Sequence, residues 1–124
     1  MSIEPLALDF VLEVHEVLLE RYGGAAGIRD LEALESALAQ PYAELFGMMR
    51  YEGAFMQAAA YFYFLSRAHA FTDGNKRTAM ACALTWLRLH SITLPHSDPE
   101  LEEIAVAAVA DHWPVEKIAQ ALRS

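Results

Sequence analysis

The chain's 124 residues leave room for one domain, spanning 1–124, and can bury a core without disulfides or a structural metal. Nine Lys and Arg stand against seventeen Asp and Glu, a formal net charge of −8. That balance argues against direct nucleic-acid binding, which needs a broad basic footprint. It leaves open a single nucleotide, since one small anion responds to local charge. Hydrophobic residues make up 55% of the chain, and a surplus of Ala, Leu and Met over Thr and Ile favours helices over sheets. Cys82 is the sole cysteine, so no internal disulfide can form; its apolar helical setting predicts a buried small hydrophobe and suits a reducing compartment. Met1-Ser2-Ile3-Glu4-Pro5 carries no basic segment followed by an apolar core, so no signal peptide is expected. The most apolar stretch, Ala54 to Leu65, is too short for a membrane span. The expected location is the cytoplasm.

In chain order, residues 6–22 show helical periodicity, with Asp9, Glu13, Glu16 and Glu20 on a solvated stripe and Phe10, Val14, Val17 and Leu18 on an apolar one. Gly23-Gly24 ends this helix. Asp30 is a candidate cap for a second helix running to about Gln40, with Leu31, Leu34 and Leu38 inward, and Pro41 stops it. Residues 41–53 are irregular, mixing aromatics and methionines with Arg50 and Glu52, and read as a surface excursion, a short hairpin or flap. A third helix over 53–70 is apolar almost all round and should be central. The turn Phe71-Thr72-Asp73-Gly74 leads into a fourth helix from Asn75 to about His90, whose Ala79, Ala83, Leu84 and Leu87 form a seam toward the third. After the extended Ile92-Thr93-Leu94-Pro95, Asp98-Pro99 reads as cap and first-turn proline of a fifth helix to about Ala110. Pro114 opens a last helix ending near Arg123. The expected architecture is an all-α, single-domain bundle.

Chemistry concentrates between His69 and Arg77. The first turn of a helix presents backbone N–H groups without helical partners and a partial positive charge, which together suit an anion. Gly74 lets a phosphate approach the backbone, Asn75 can donate from its amide, and Lys76 and Arg77 add two charges, Arg77 with a planar fork matched to phosphate oxygens. Cations in a first turn oppose the helix dipole by about 0.3–1 kcal/mol each, a mismatch that a bound anion would relieve. Arg67 lies just upstream and adds to the local positive charge. Asp73 is the only carboxylate between Gly53 and Ser97. It suits a Mg²⁺–phosphate site, which commonly takes one or two carboxylates; equally, it can simply cap the fourth helix. His69 can accept a proton from an attacking hydroxyl near neutral pH, although a histidine at a helix end also serves as a cap. Phe71 reads as a packing anchor for the loop.

His69-x-Phe71-x-Asp73-Gly74-Asn75-Lys76-Arg77 resembles the signature of the Fic/Doc superfamily. Arg21-Tyr22-Gly23-Gly24, Gly27-Ile28-Arg29-Asp30 and Leu34-Glu35-Ser36-Ala37-Leu38 are similar to stretches of its Doc (death-on-curing) branch, so the likeness extends over nearly the whole chain at low density. The resemblance implies an all-α Fic fold with the motif loop between two central helices. In it His69 is the general base, Asp73 holds Mg²⁺, and Gly74, Asn75, Lys76 and Arg77 bind the phosphates of ATP. The flap that aligns the target would fall within 41–53. Lys76 stands where AMP-transferring relatives carry a second glycine, and no arginine stands at Ala81 or beside it, a Doc-like pattern. Doc members transfer the γ-phosphate to a threonine of elongation factor Tu and so block translation. Gly74 is instead the choice of the AMP-transferring branch. The autoinhibitory Ser/Thr, Glu, Gly/Asn pattern of some relatives is absent from this sequence, and the resemblance then implies inhibition by a separate Phd-type antitoxin.

Three functions follow as expectations: a toxin kinase, an AMP transferase with the nucleotide inverted, or a catalytically silent helical module that binds a protein. His15, His90, His96 and His112 share no metal-ligand spacing and read as surface or capping residues. Trp86 and Trp113 read as packing anchors, and Tyr61 and Tyr63 as helix core.

Overall fold

The computed structural model describes residues 3–124; the leader reading above begins at Met1 and Ser2, which lie outside that range. Six α-helices are present among the described residues: α1 (Leu8–Tyr22), α2 (Leu31–Ala39), α3 (Ala54–Ala68), α4 (Asn75–Leu89), α5 (Asp98–Ala110) and α6 (Val115–Arg123). A 3-10 turn over Gln40–Tyr42 follows α2, and two short antiparallel strands, β1 (Glu44–Leu45) and β2 (Met48–Met49), form a hairpin before α3. The all-α expectation holds, hairpin included.

Helix α3 is the central element, packed against α2, α4 and α6. Ala58, Ala59, Ala60, Tyr61, Phe62 and Leu65 are buried along it, and Ala79, Cys82, Ala83, Trp86 and Leu87 of α4 face them. Methyl-sized side chains on both helices let the backbones approach closely, while Trp86 fills the volume at the far end. Its ring packs beside Tyr42, Tyr61 and His90 at centroid distances of 5.5, 5.2 and 4.7 Å. The Trp86 indole N–H donates to Gln57 Oε1 (3.2 Å), and Gln57 Nε2 donates to the Tyr51 carbonyl (3.2 Å), so one amide joins α4, α3 and the foot of the hairpin. Val115, Ile118, Ala119 and Leu122 recur at helical spacing and seat α6 on α3.

Helix ends follow local chemistry, with two departures from expectation. Gly23 closes α1 at φ 80°, its N–H donating to the Leu19 carbonyl, and the Asp30 side chain accepts from Ala33 N–H at the start of α2. Ser97, not Asp98, caps α5. Its hydroxyl accepts from Glu100 N–H (3.2 Å) while the Glu100 carboxylate accepts from Ser97 N–H (3.0 Å), a reciprocal box that places Pro99 one residue deeper than expected. Asp73 does not cap α4; that position belongs to Gly74, which has no side chain to offer.

Two apolar faces also shift. On α1 the buried residues are Val11 and His15, whereas Val17 is 56% exposed. The polar His15 occupies the i+4 position of the buried seam, so a count of apolar residues phases the helix one step off. On α2, Leu34, Ala37 and Leu38 are buried while Leu31 lies open, because the first residue of the helix projects past the contact with α3.

Candidate active site

The loop His69–Gly74 joins α3 to α4, and several independent contacts pin it. His69 closes α3 in the left-handed conformation (φ 47°, ψ 41°), which turns the chain sharply out of the helix and leaves its imidazole exposed. Ala70 and Phe71 then plunge inward and are buried. The Ala70 carbonyl accepts from Arg29 N–H (2.6 Å) and Asp30 N–H (3.1 Å), Thr72 N–H donates to the Gly27 carbonyl (3.1 Å), and Phe71 pairs with Ile28 as an isolated antiparallel bridge. The connection between α1 and α2 thus runs beside the motif loop as a short strand would, satisfying its backbone groups. Within the loop, Asn75 acts as a clasp: its Oδ1 accepts from Phe71 N–H (3.1 Å) and its Nδ2 donates to the Phe71 carbonyl (2.9 Å).

Asp73 is exposed, and its Oδ2 accepts from the N–H of Ala25 (3.1 Å). Gly24 permits this approach: a Cβ there would lie 3.4 Å from Asp73 Oδ2 and 3.1 Å from Leu19, on a backbone at φ 123°. Gly74 sits at φ 81°, where a Cβ would meet His15 at an ordinary 3.5 Å. Its glycine is required by the left-handed backbone, not by crowding. Because Gly74 supplies no capping side chain, the first-turn amides of α4 receive no side-chain acceptor from it. Lys76 and Arg77 are exposed on that turn.

The motif residues His69, Asp73, Gly74, Asn75, Lys76 and Arg77 therefore all lie on one pinned loop and the helix turn that follows it. Arg67, just before the loop, packs its guanidinium over the Tyr63 ring (4.7 Å), one turn back along α3. Two residues that the sequence reading did not place beside the motif join it. The Tyr22 ring carries the Arg77 guanidinium at 4.5 Å, a cation–π contact that orients the fork. His15 is only 6% exposed, stacks on Phe71 at 3.7 Å and 10°, and lies 2.7 Å through Nε2 from the Asp73 carbonyl oxygen. It is neither a surface nor a capping residue, as expected of it above. The one signal in the sequence was a polar residue four positions after Val11, on what is otherwise an apolar seam.

A match to the model of the Fic/DOC family covers residues 5–87. The chain belongs to the Fic/DOC family. The matched segment includes α1, α2, the hairpin, α3, the pinned loop and most of α4. The chain is 41% identical over 73 residues to a protein named Toxin Doc from Mycolicibacterium smegmatis, an alignment spanning 59% of this chain and 56% of that protein. It is 31% identical over 113 residues to Protein kinase doc of Escherichia phage P1, spanning 91% of this chain and 88% of that protein. The chain thus aligns with just over half the length of the first relative and most of the second.

Asp73 offers an exposed carboxylate whose Oδ2 accepts one backbone N–H, which leaves lone pairs on both oxygens. Among the described residues no group of three or more His, Cys, Asp or Glu could hold a metal ion by itself. One carboxylate completed by phosphate oxygens and water is a magnesium arrangement, so the residues fit. No helix among the described residues is long and apolar enough to cross a membrane.

Proposed function

We propose that this Fic/Doc protein is the toxin of a toxin–antitoxin pair, transferring the γ-phosphoryl group of ATP to a hydroxyl of a protein target. By resemblance the target is a threonine of elongation factor Tu and the restraining partner is a Phd-type antitoxin. One observation carries the reading: an exposed histidine and an exposed carboxylate stand on one pinned loop, directly before a helix turn that bears two cations and no side-chain cap. Its agreement with the name of the phage relative supports phosphoryl transfer.

In this reading the first-turn amides, Lys76 and Arg77 hold the triphosphate, with Tyr22 keeping the Arg77 fork in place. His69 takes the proton from the target hydroxyl as that oxygen bonds to the γ-phosphorus. The bond from the γ-phosphorus to the bridging oxygen breaks, and ADP leaves with its electron pair. Mg²⁺, held through Asp73, would offset the charge of the phosphate oxygens. Asn75 acts from beneath by keeping the Phe71 peptide groups fixed.

Transfer of AMP is the second reading, favoured by glycine at position 74 in the left-handed conformation, while Lys76 speaks against it. One experiment separates them. The protein is incubated with Mg²⁺, elongation factor Tu and ATP labelled at the α or γ position, and the intact target is weighed. Gain of one phosphate with γ label, abolished by His69→Ala, is the expected result. Gain of an adenylyl group with α label would replace the kinase reading by the second. An unchanged mass would remove elongation factor Tu as the target.

A further inference from the structure

His15 is a buried imidazole outside the motif, yet it contacts Phe71 and Asp73 of the motif loop and lies beside Gly74. Its ring lies parallel to Phe71, centroid to centroid 3.7 Å with 10° between planes. Its Nε2 is 2.7 Å from the carbonyl oxygen of Asp73, and Nε2 and Cδ2 lie 3.5 Å from where a Cβ on Gly74 would be. A carbonyl oxygen only accepts, so Nε2 carries the hydrogen and donates it. A trans peptide is planar, with its C=O and N–H directed oppositely. By drawing the Asp73 carbonyl toward α1, His15 turns the N–H of Gly74 away from α1, to the side opposite its own ring. The same peptide carries the Asp73 side chain on its Cα, so its orientation also sets where that carboxylate begins.

We propose that His15 is a positioning residue for group transfer, acting through the Asp73–Gly74 peptide to present Gly74 N–H and the Asp73 carboxylate to the phosphates. It does not itself touch nucleotide or target. The role rests on the phosphoryl-transfer reading above, and it accounts for a polar side chain being held in the buried seam of α1, where an apolar residue would pack at no desolvation cost. Phe71 supplies the platform that keeps the imidazole in plane with its acceptor.

The test uses two variants of the full chain. His15→Phe keeps an aromatic plane for stacking and removes the donor; His15→Gln removes the ring and returns an N–H at similar reach. Three quantities are read: kcat and KM for transfer, calorimetric affinity for MgADP, and amide hydrogen exchange over residues 72–75 against the α3 core. His15→Phe is expected to lower kcat by roughly 10- to 100-fold, to weaken MgADP binding, and to speed exchange over 72–75 while α3 stays protected. His15→Gln is expected to recover most of kcat and of MgADP affinity. If wild-type protein transfers nothing but His15→Phe still loosens 72–75 and weakens MgADP binding, the transfer reading fails and the positioning of the phosphate loop stands. Wild-type exchange and MgADP affinity in His15→Phe would overturn the proposal. So would an equal loss of protection throughout the chain in both variants, which would make His15 a plain core residue.

Discussion

His69 ends α3 at φ 47°, a left-handed conformation that costs an L-residue about 1–2 kcal/mol. Glycine carries no such cost there. A family member that keeps an exposed histidine in that position holds it against local preference, as expected where strain serves a site. His69→Gly should therefore raise stability in denaturant melts by about 1 kcal/mol while lowering transfer by roughly 10²–10⁴-fold. A less stable variant would mean that the imidazole, not the backbone, holds the turn. His69, Asp73, Lys76 and Arg77 can be grouped from the sequence because they are neighbours in the chain and lie on one short segment. The sequence offers Asn75 as a phosphate donor; in the fold its oxygen and one of its two amide N–H groups engage the backbone groups of Phe71. Pairwise side-chain choices of that kind depend on which neighbour comes within 3 Å, and composition does not report it.

Elements were legible where the governing chemistry is local. Gly23 and Asp30 bound α1 and α2 as expected, and the irregular segment after Pro41 holds the hairpin, with Glu44 opposite Met49 and Leu45 opposite Met48. Its turn places Phe46 and Gly47 both at positive φ, at 53° and 78°, the pattern of a two-residue turn that matches strand twist. Phe46 is 96% exposed there, an aromatic tip on the element read as the target-aligning flap. At α5 the cap box yields a pH prediction. The backbone and hydroxyl of Ser97 hold the Glu100 carboxyl below its ordinary value of 4.5. A depressed carboxylate contributes stability above its unfolded value and loses it as pH falls through the folded one. Ser97→Ala should cost about 1 kcal/mol at neutral pH. Thermal melts should show the gap to wild type narrowing below about pH 4.5, the unfolded value. A gap of constant size down to pH 2 would show that the Ser97 hydroxyl does not act on the Glu100 carboxylate.

For the molecule as a whole, the contact of α3 with α4 is both the core and the support of the site, since the motif loop is the connection between them. Cys82 lies in that contact, fully buried, and burial pushes its thiol up to about 12. The native thiol should resist alkylation at pH 8 and react once denaturant opens the core, so labelling followed by mass measures separation of α3 from α4. Rapid labelling without denaturant would contradict a closed core. The N-terminal segment is tied to the same core, Leu6 N–H donating to the buried Tyr61 hydroxyl (3.0 Å) and Tyr42 donating to the Ile3 carbonyl (2.7 Å).

By itself the sequence determined the helical class, the order of helices, the motif loop between two central helices and the residue types it presents. These follow from periodicity, caps and adjacency, interactions that reach only a few residues along the chain. Tertiary structure decided which side of α1 is buried, that Ala25 and Gly27 support the loop, that Tyr22 carries Arg77, and that His15 sits beneath Asp73. Those pairs are tens of residues apart, and they meet only when α1 packs against α4 and the segment after α1 runs beside the motif loop, a condition no local pattern encodes.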